Sequence, residues 1–208
     1  MMKLIIGNRN HSSWSLRAAL VLELTGAEHQ VQRIALFQPD SRARLLEHSP
    51  TGKVPVLHTA DGPVWDSLAI AEYLAECFPD ARLWPQSRAD RARARSLCAE
   101  MHSGFSALRS HLPMDLARDQ ALPAPLPAEV VSDIQRIGRI WSDCLAASGG
   151  PFLFGTPGIV DAFFAPVAAR LRSYRVALPD EAAQYVQQIY AWAPFMRWQQ
   201  AALEEVAG

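Results

Sequence analysis

Two hydrophobic periodicities alternate along the first 80 residues of the chain. Apolar runs of strand length predict strands at Lys3–Ile6, Gln30–Leu36, Val54–Thr59 and Pro63–Trp65. Apolar positions that recur at three- and four-residue steps predict helices at Ser15–Leu24, Ser41–Glu47 and Asp66–Phe78. Gly26 is the expected residue after the first helix, and Asp61-Gly62 is typical of a hairpin turn. The predicted order is βαβαββα, an α/β domain.

The second half of the chain has only helical periodicity. The composition changes near Phe78–Ser87, which predicts an α/β domain over residues 1–80 and an all-α domain over residues 87–208. Ser87 is expected to cap a long helix, with Asp90 in its first turn and one apolar stripe through Leu97, Met101, Phe105, Leu108 and Leu112. A proline-rich connection at 121–129 is expected to be exposed, and further helices are predicted at Glu129–Ala147, Val160–Ser173, Glu181–Ala191 and Pro194–Val206.

Composition and charge exclude several classes of protein. The chain has 208 residues, half of them hydrophobic, and 20 basic against 21 acidic side chains, so we expect a globular protein that binds neither nucleic acid nor a membrane. The arginines at 88, 91, 93 and 95 are therefore expected to form a solvated helix face. The apolar N-terminus is too short for a leader or a membrane span, and a cytoplasmic location is expected.

Cysteine and histidine spacing gives no support for a metal or disulfide site. Cys77, Cys98 and Cys144 are far apart and odd in number, and we expect them to be buried small side chains. The six histidines show no ligand spacing, so no metal is assigned.

Two segments have the chemistry of a binding site, one for an extended peptide and one for a carboxylate. In GKVPVL, a cis Val54-Pro55 bond would leave the N–H and C=O of Val54 unpaired, whereas a trans proline entering an edge strand is the commoner alternative. Asp66 and Ser67 stand at a predicted helix start, where free N–H groups and the helix dipole favour a carboxylate. A plain N-cap is the alternative interpretation, and the two are compatible.

These segments together resemble the cytosolic glutathione transferase family. The resemblance rests on SSWSLR after the first strand, SPTGKVPVL, WDSLAIAEYL, FPDARLWP and FLFGTPGIVDAFFAPV, and it covers nearly the whole chain. It implies a thioredoxin-like domain that binds glutathione, a helical domain that forms the second-substrate site, and a homodimer. The SSWS element is most similar to the serine-using zeta and theta branches of the family.

The resemblance implies that a serine hydroxyl donates to the sulfur of bound glutathione. Lowering a thiol pKa of about 8.5 by two units requires about 2.7 kcal/mol. A hydrogen bond to a charged group supplies about 1.5–3 kcal/mol and a helix N-terminus about 0.3–1 kcal/mol. Counting back from Arg17, the zeta-like spacing reaches Ser12 and the theta-like spacing reaches Ser13, and of the two serines we favour Ser12. The alternative is that both serines only cap the helix.

The remaining site residues are also carried over from the family. Glutathione contacts are expected from Lys53, Val54, Asp66 and Ser67, while Trp14, which replaces the cysteine of the zeta element, either walls the sulfur pocket or packs. Asp161 matches a buried capping aspartate, with Gly158 where the family usually has Ser or Thr. Substrate contacts on the helical domain are expected from His102, Ser103 and Ser106.

The resemblance leaves three functions open. The leading hypothesis is a glutathione S-transferase that conjugates the glutathione thiolate to small electrophiles, as in detoxification, with glutathione as co-substrate. A zeta-type cis-trans isomerase acting on a maleylacetoacetate-like substrate is the second. A non-catalytic scaffold of the same fold is the third.

Overall fold

The first part of the chain forms a four-stranded mixed sheet with helices packed against it. The structure, a computed structural model, describes residues 1–123 and 125–207. Its first elements are β1 (Met2–Ile6), α1 (Ser13–Leu24), β2 (His29–Arg33), α2 (Ser41–Leu46), β3 (Val56–Thr59), β4 (Gly62–Trp65) and α3 (Ser67–Cys77). The strand order is β2-β1-β3-β4, with β1 parallel to β2 and antiparallel to β3. The predicted order βαβαββα is confirmed.

The second part of the described chain is helical. A short 3₁₀ turn at Pro79–Ala81 leads to α4 (Arg88–Ser103), α5 (Ser106–His111), α6 (Ala128–Ser148), α7 (Ile159–Ser173), α8 (Asp180–Ala191) and α9 (Ala193–Ala207). Each of the last four begins one residue before its predicted start. The residues described at 121–129 are mostly exposed, as expected for a connection; Ala124 lies outside the described residues.

The predicted long helix after Ser87 is interrupted. Its start is confirmed, since Ser87 Oγ accepts from the Asp90 N–H at 3.3 Å. The helix stops at Gly104, and Phe105 has a φ of 55° before α5 begins. Asp133 of α6 accepts the Leu108 N–H at 2.9 Å and so stabilises the new helix start. The hydrophobic periodicity did not predict this break, because the apolar stripe is buried both before it, in α4, and from Phe105 and Leu108 onward.

Two smaller predictions need correction. The second strand ends at Arg33 and not at Leu36, because its partner β1 ends at Ile6 and the Leu36 N–H bonds the Asn8 side chain instead. Cys98 and Cys144 are buried as expected, whereas Cys77 is exposed at the end of α3.

Helix α1 packs between the two parts of the chain and makes most of the contacts that join them. It packs against α3 on the sheet side and against α7 of the helical part. Its side chains belong to one continuous cluster of buried residues, which includes Leu4 and Leu57 of the sheet and Phe163 of α7. The core therefore runs without interruption from the sheet into the helices.

The start of α7 is built around the buried carboxylate of Asp161. Its two oxygens accept the N–H groups of Leu153 and Gly158, both at 3.0 Å, and the hydroxyl of Tyr185 at 2.9 Å. Burial outweighs these bonds and raises the pKa of Asp161 to about 6. A Cβ on Gly158 would lie 3.0 Å from the Leu83 carbonyl oxygen, so a side chain at this helix cap would require a small shift of that carbonyl.

Candidate functional site

A cleft of about 450 Å³ lies where the sheet, α1 and α4 meet. Five of the residues predicted to bind glutathione line it, namely Trp14, Lys53, Val54, Asp66 and Ser67. His102, predicted to contact the second substrate, lines it as well. These residues come from four separate stretches of the chain, so the fold brings together what the sequence holds apart.

The Val54–Pro55 segment forms one wall of the cleft. The peptide between the two residues is cis, which decides between the two alternatives left by the sequence. Strand β3 begins only at Val56, and the backbone of Val54 has no hydrogen-bond partner in the part of the chain that the structure describes. An extended peptide can therefore pair with this free edge.

The N-terminus of α3 also lines the cleft. Asp66, with a φ of 73°, caps the helix by accepting the Leu68 N–H at 2.8 Å. Ser67 is 1% exposed, and its hydroxyl has no partner among the described residues. An orphan hydroxyl beside free helix N–H groups offers hydrogen-bond donors of the kind that a carboxylate accepts.

The two adjacent serines have different hydrogen-bond patterns. Ser12 caps α1: its Oγ accepts the Ser15 N–H at 3.3 Å and donates to Ser15 Oγ at 2.8 Å. Ser13 Oγ instead accepts from Nη2 of Arg170 at 3.2 Å. Both side chains are nearly buried, and neither is among the residues that line the cleft. The hydroxyl proton of Ser12 is used inside the helix cap, while that of Ser13 is not.

His102 connects the helical part to the cleft. Its Nε2 lies 3.2 Å from Oδ2 of Asp66, and its ring meets the edge of the Trp14 ring with centroids 5.0 Å apart. The two other residues predicted to contact substrate lie elsewhere. Ser103 and Ser106 are exposed and do not line the cleft, and Ser103 donates to the Ala99 carbonyl of its own helix.

Beside the serines lies a cluster of three arginines that sequence reasoning did not place in the site: Arg17 of α1, Arg109 of α5 and Arg170 of α7. Arg17 and Arg109 lie 4.5 and 5.5 Å from the centroid of the Trp14 ring. Arg170 donates to Ser13 and to the carbonyls of Arg109 and Leu112. None of the three forms a salt bridge with a carboxylate of the described chain.

The arginine cluster is electrostatically uncompensated. Burial, followed by the positive charges of Arg170 and Arg109, lowers the pKa of Arg17 to about 9. Burial and the charge of Arg109 lower the pKa of Arg170 to about 10. Nε and Nη1 of Arg17 are buried without a partner among the described residues. Guanidinium groups arranged in this way favour binding of an anion.

Two negative findings limit the alternatives. Among residues 1–123 and 125–207 there is no group of three or more His, Cys, Asp or Glu side chains placed to hold a metal ion. In the same residues, no helix has the length and apolar character needed to cross a membrane.

Comparison with known proteins agrees with this geometry. The family model "Glutathione S-transferase, N-terminal domain" matches residues 11–77, and "Glutathione S-transferase, C-terminal domain" matches residues 86–198. A probable maleylacetoacetate isomerase of Caenorhabditis elegans is 32% identical over 102 residues, which are 49% of this chain and 47% of that protein. This match thus spans about half the length of the curated relative. The maleylacetoacetate isomerase of Rattus norvegicus is 27% identical over 82% of this chain and 78% of its own.

The fold has a close counterpart among solved structures. A glutathione transferase homolog from Burkholderia, crystallised with bound glutathione, superposes with a TM-score of 0.73 at 25% identity and covers 98% of both chains. Since the C-terminal family model alone spans more than half of the chain and the N-terminal model precedes it, the chain belongs to the glutathione S-transferase family.

Proposed function

We propose that the cleft between Val54 and Ser67 binds glutathione. The free backbone edge of Val54 suits the cysteinyl peptide, and the orphan Ser67 hydroxyl at the start of α3 suits the γ-glutamyl carboxylate. Asp66 faces the ammonium group of the same moiety, and Lys53 lies at the glycine end. Residues 1–80 would thus act as the glutathione-binding domain, and residues 87–208 as the domain that completes the second-substrate site. The orphan Ser67 hydroxyl is the observation that carries this proposal.

Replacing Ser67 with alanine should weaken glutathione binding about tenfold. The variant removes one hydrogen bond to a charged carboxylate, which is worth about 1.5–3 kcal/mol. Isothermal titration calorimetry of the wild type at millimolar glutathione tests the proposal itself, and the variant tests the assignment of Ser67. Ser96→Ala is a matched control, since Ser96 is an exposed serine that bonds only its own helix. Absence of heat with the wild type would refute glutathione binding altogether.

The hydrogen-bond pattern favours Ser13 as the donor to the glutathione sulfur. Ser12 already donates to Ser15, whereas Ser13 accepts from Arg170 and keeps its own proton for a new partner. A guanidinium bonded to the hydroxyl oxygen makes that proton a better donor to a thiolate. Ser12, which the zeta-like spacing favours, would then serve as the cap that holds the helix start.

Ser13→Ala should raise the pKa of the bound glutathione thiol by about one to two units, the equivalent of one charge-assisted hydrogen bond. Ser12→Ala should raise it less and should lower the melting temperature more, because it removes the cap of α1. Thiolate absorbance measured against pH in the two variants separates the roles. An unchanged thiol pKa in both would leave only the capping interpretation.

The arginine cluster favours an electrophile that carries a carboxylate. Three guanidinium groups without carboxylate partners among the described residues lie beside Ser13 or against the Trp14 ring, and an acidic second substrate would supply the missing negative charge. The same field stabilises a thiolate over a thiol. His102 lies between this cluster and Asp66, so a contact between His102 and substrate is part of the proposal; contacts from Ser103 and Ser106 remain a prediction.

Two reactions fit such a site. In the first, the thiolate of glutathione adds to a small electrophile and the conjugate leaves, which is the transferase reaction of detoxification. In the second, glutathione adds to a double bond, rotation follows and glutathione leaves, so that a maleylacetoacetate-like substrate is isomerised. The arginine cluster favours the second, because such substrates carry carboxylates, and the names of the relatives agree with it. Mass spectrometry after turnover distinguishes a conjugate from a product of unchanged mass.

Two further proposals concern the assembly and location of the enzyme. We propose a homodimer, in keeping with the family, and a cytoplasmic location. A non-catalytic scaffold is the competing role. Retention on immobilised glutathione together with turnover of an acidic electrophile would exclude it.

A further inference from the structure

The loop that precedes the two serines is held by the last helix of the described chain. The backbone N–H of Arg9 donates to Oε2 of Glu205 at 3.2 Å. The backbone carbonyl of Arg9 accepts from Nε1 of Trp198 at 3.1 Å. Helix α9 therefore binds both the backbone N–H and the backbone carbonyl of Arg9, although the partners are about 190 positions apart in the sequence.

The carboxylate of Glu205 is a strong anchor for this contact. Only 9% of its side chain is exposed, and it lies between two guanidinium groups, 3.6 Å from Nη1 of Arg9 and 3.2 Å from Nη1 of Arg33. The Arg9 guanidinium also lies 5.8 Å from the centroid of the Trp198 ring. Charged hydrogen bonds at a partly buried site are stronger and more directional than exposed ones.

A short turn transmits the position of Arg9 to Ser12. The carbonyl of Asn8 accepts the N–H groups of His11 at 3.3 Å and Ser12 at 2.9 Å, so Arg9 lies inside the turn that ends at the cap of α1. The loop has further contacts on either side of Arg9. Asn8 Oδ1 accepts the Leu36 N–H, Asn10 bonds Asp115 and the Ala117 N–H, and the His11 ring lies 3.2 Å from the Met114 carbonyl oxygen. Release of Arg9 would remove the contacts to α9 from the middle of this turn and let the serine hydroxyls move.

We infer that Glu205 is a positioning residue, which sets the geometry of the serine hydroxyls through Arg9 and couples the last turns of α9 to occupancy of the thiol site. This inference rests on the proposed function. Because coupling between two sites is reciprocal, glutathione bound at the serines should stabilise α9 as much as α9 stabilises the bound state. Nothing in this mechanism requires α9 to touch glutathione.

Glu205→Ala tests the inference, with Glu204→Ala as the matched control. Glu204 is the adjacent residue of the same helix and is exposed, and within the described residues its side chain hydrogen-bonds only Gln200. We expect Glu205→Ala to lower kcat about tenfold, to raise the KM for glutathione because the coupling to α9 is lost, and to raise the pKa of the bound thiol. Glu205→Gln, which keeps an acceptor for the Arg9 N–H but loses the charge, should fall between Glu205→Ala and the wild type.

Hydrogen exchange provides a readout that a merely stabilising contact would not change. In the wild type and in Glu204→Ala, glutathione should slow exchange over residues 199–207, whereas in Glu205→Ala this protection should disappear. Without ligand, residues 8–13 should exchange faster in Glu205→Ala than in the control. If those residues exchange equally in both proteins, the inference is wrong whether or not glutathione binds. If they differ but the wild type binds no glutathione, the proposed function fails and the clamp remains.

Discussion

Replacing Asp161 with alanine is expected to lower the free energy of unfolding by about 3 kcal/mol at pH 7. The substitution leaves the N–H groups of Leu153 and Gly158 and the hydroxyl of Tyr185 without their acceptor inside the core, and each orphaned buried group costs about 1–3 kcal/mol. Relief of the buried negative charge offsets part of that cost. Because the role of Asp161 is structural, a variant that is fully stable but inactive would contradict it.

The pH dependence of this loss has a definite sign. The pKa of Asp161 is raised from the ordinary value of 3.8 to about 6 in the folded protein. Between about pH 4 and pH 6 the folded state therefore keeps a proton on this carboxyl that the unfolded state has lost. The stability contributed by the protonated group is complete below about pH 4 and is lost as the pH rises through 6. Asp161→Ala should therefore be about 1 kcal/mol more damaging at pH 5 than at pH 7.

Denaturant unfolding at both pH values, followed by circular dichroism at one protein concentration, measures the two differences. Comparison of variant with wild type at each pH cancels the other titrating groups. Asp161→Asn is an informative companion, because it keeps the shape but does not titrate in this range. A loss of equal size at pH 5 and pH 7 would show that the carboxyl does not change protonation between them.

Replacing Arg109 with methionine is expected to reduce kcat/KM for a carboxylate-bearing electrophile about 100-fold. The Arg109 guanidinium lies against Trp14 and, among the described residues, donates only to the His102 carbonyl, so its remaining donors are available to substrate. One charge-assisted hydrogen bond in a partly buried site is worth about 1.5–3 kcal/mol, and each 1.4 kcal/mol is a factor of ten. A neutral electrophile should lose less than threefold.

Arg172→Met is the control for this experiment. Arg172 is an exposed arginine of α7 that stacks on Tyr190 at 3.9 Å from the ring centroid and lies outside the cluster. Steady-state kinetics with one acidic and one neutral electrophile give the ratio that matters. Equal losses with both substrates would argue against a carboxylate partner for Arg109.

The fold was predictable from the sequence because its signals are local. Strand and helix periodicities, the caps at Ser87 and Gly26, and the proline at 79 all act within a few residues of themselves. The break at Gly104–Phe105 was not predictable in this way. It depends on Asp133, a residue of another helix that stabilises the new start, and on a stripe that stays buried whether or not the helix is continuous.

The site was predictable only in the part that family motifs carry. Trp14, Val54, Asp66 and Ser67 lie in recognisable short segments, and the fold brings them to one cleft. Arg109 and Arg170 lie in helices where arginine is an ordinary residue, and only tertiary packing places Arg170 beside Ser13 and Arg109 against Trp14. The same holds for Glu205, whose partner Arg9 is at the other end of the described chain. Electrostatic contacts between residues far apart in the sequence produce no periodic pattern from which they could be predicted.

The buried cluster that runs through α1 limits how such a protein can be rearranged. A chain cut in the linker near residue 83 would leave α1 of the first fragment and α7 of the second each with an apolar face exposed to water. A recombinant that pairs the sheet of one relative with the helices of another must therefore preserve the packing between α1 and α7. Otherwise new cavities form there and lower the free energy of unfolding. The helical half is consequently less exchangeable than a separately folded module, and its divergence is constrained by the sheet on which it packs.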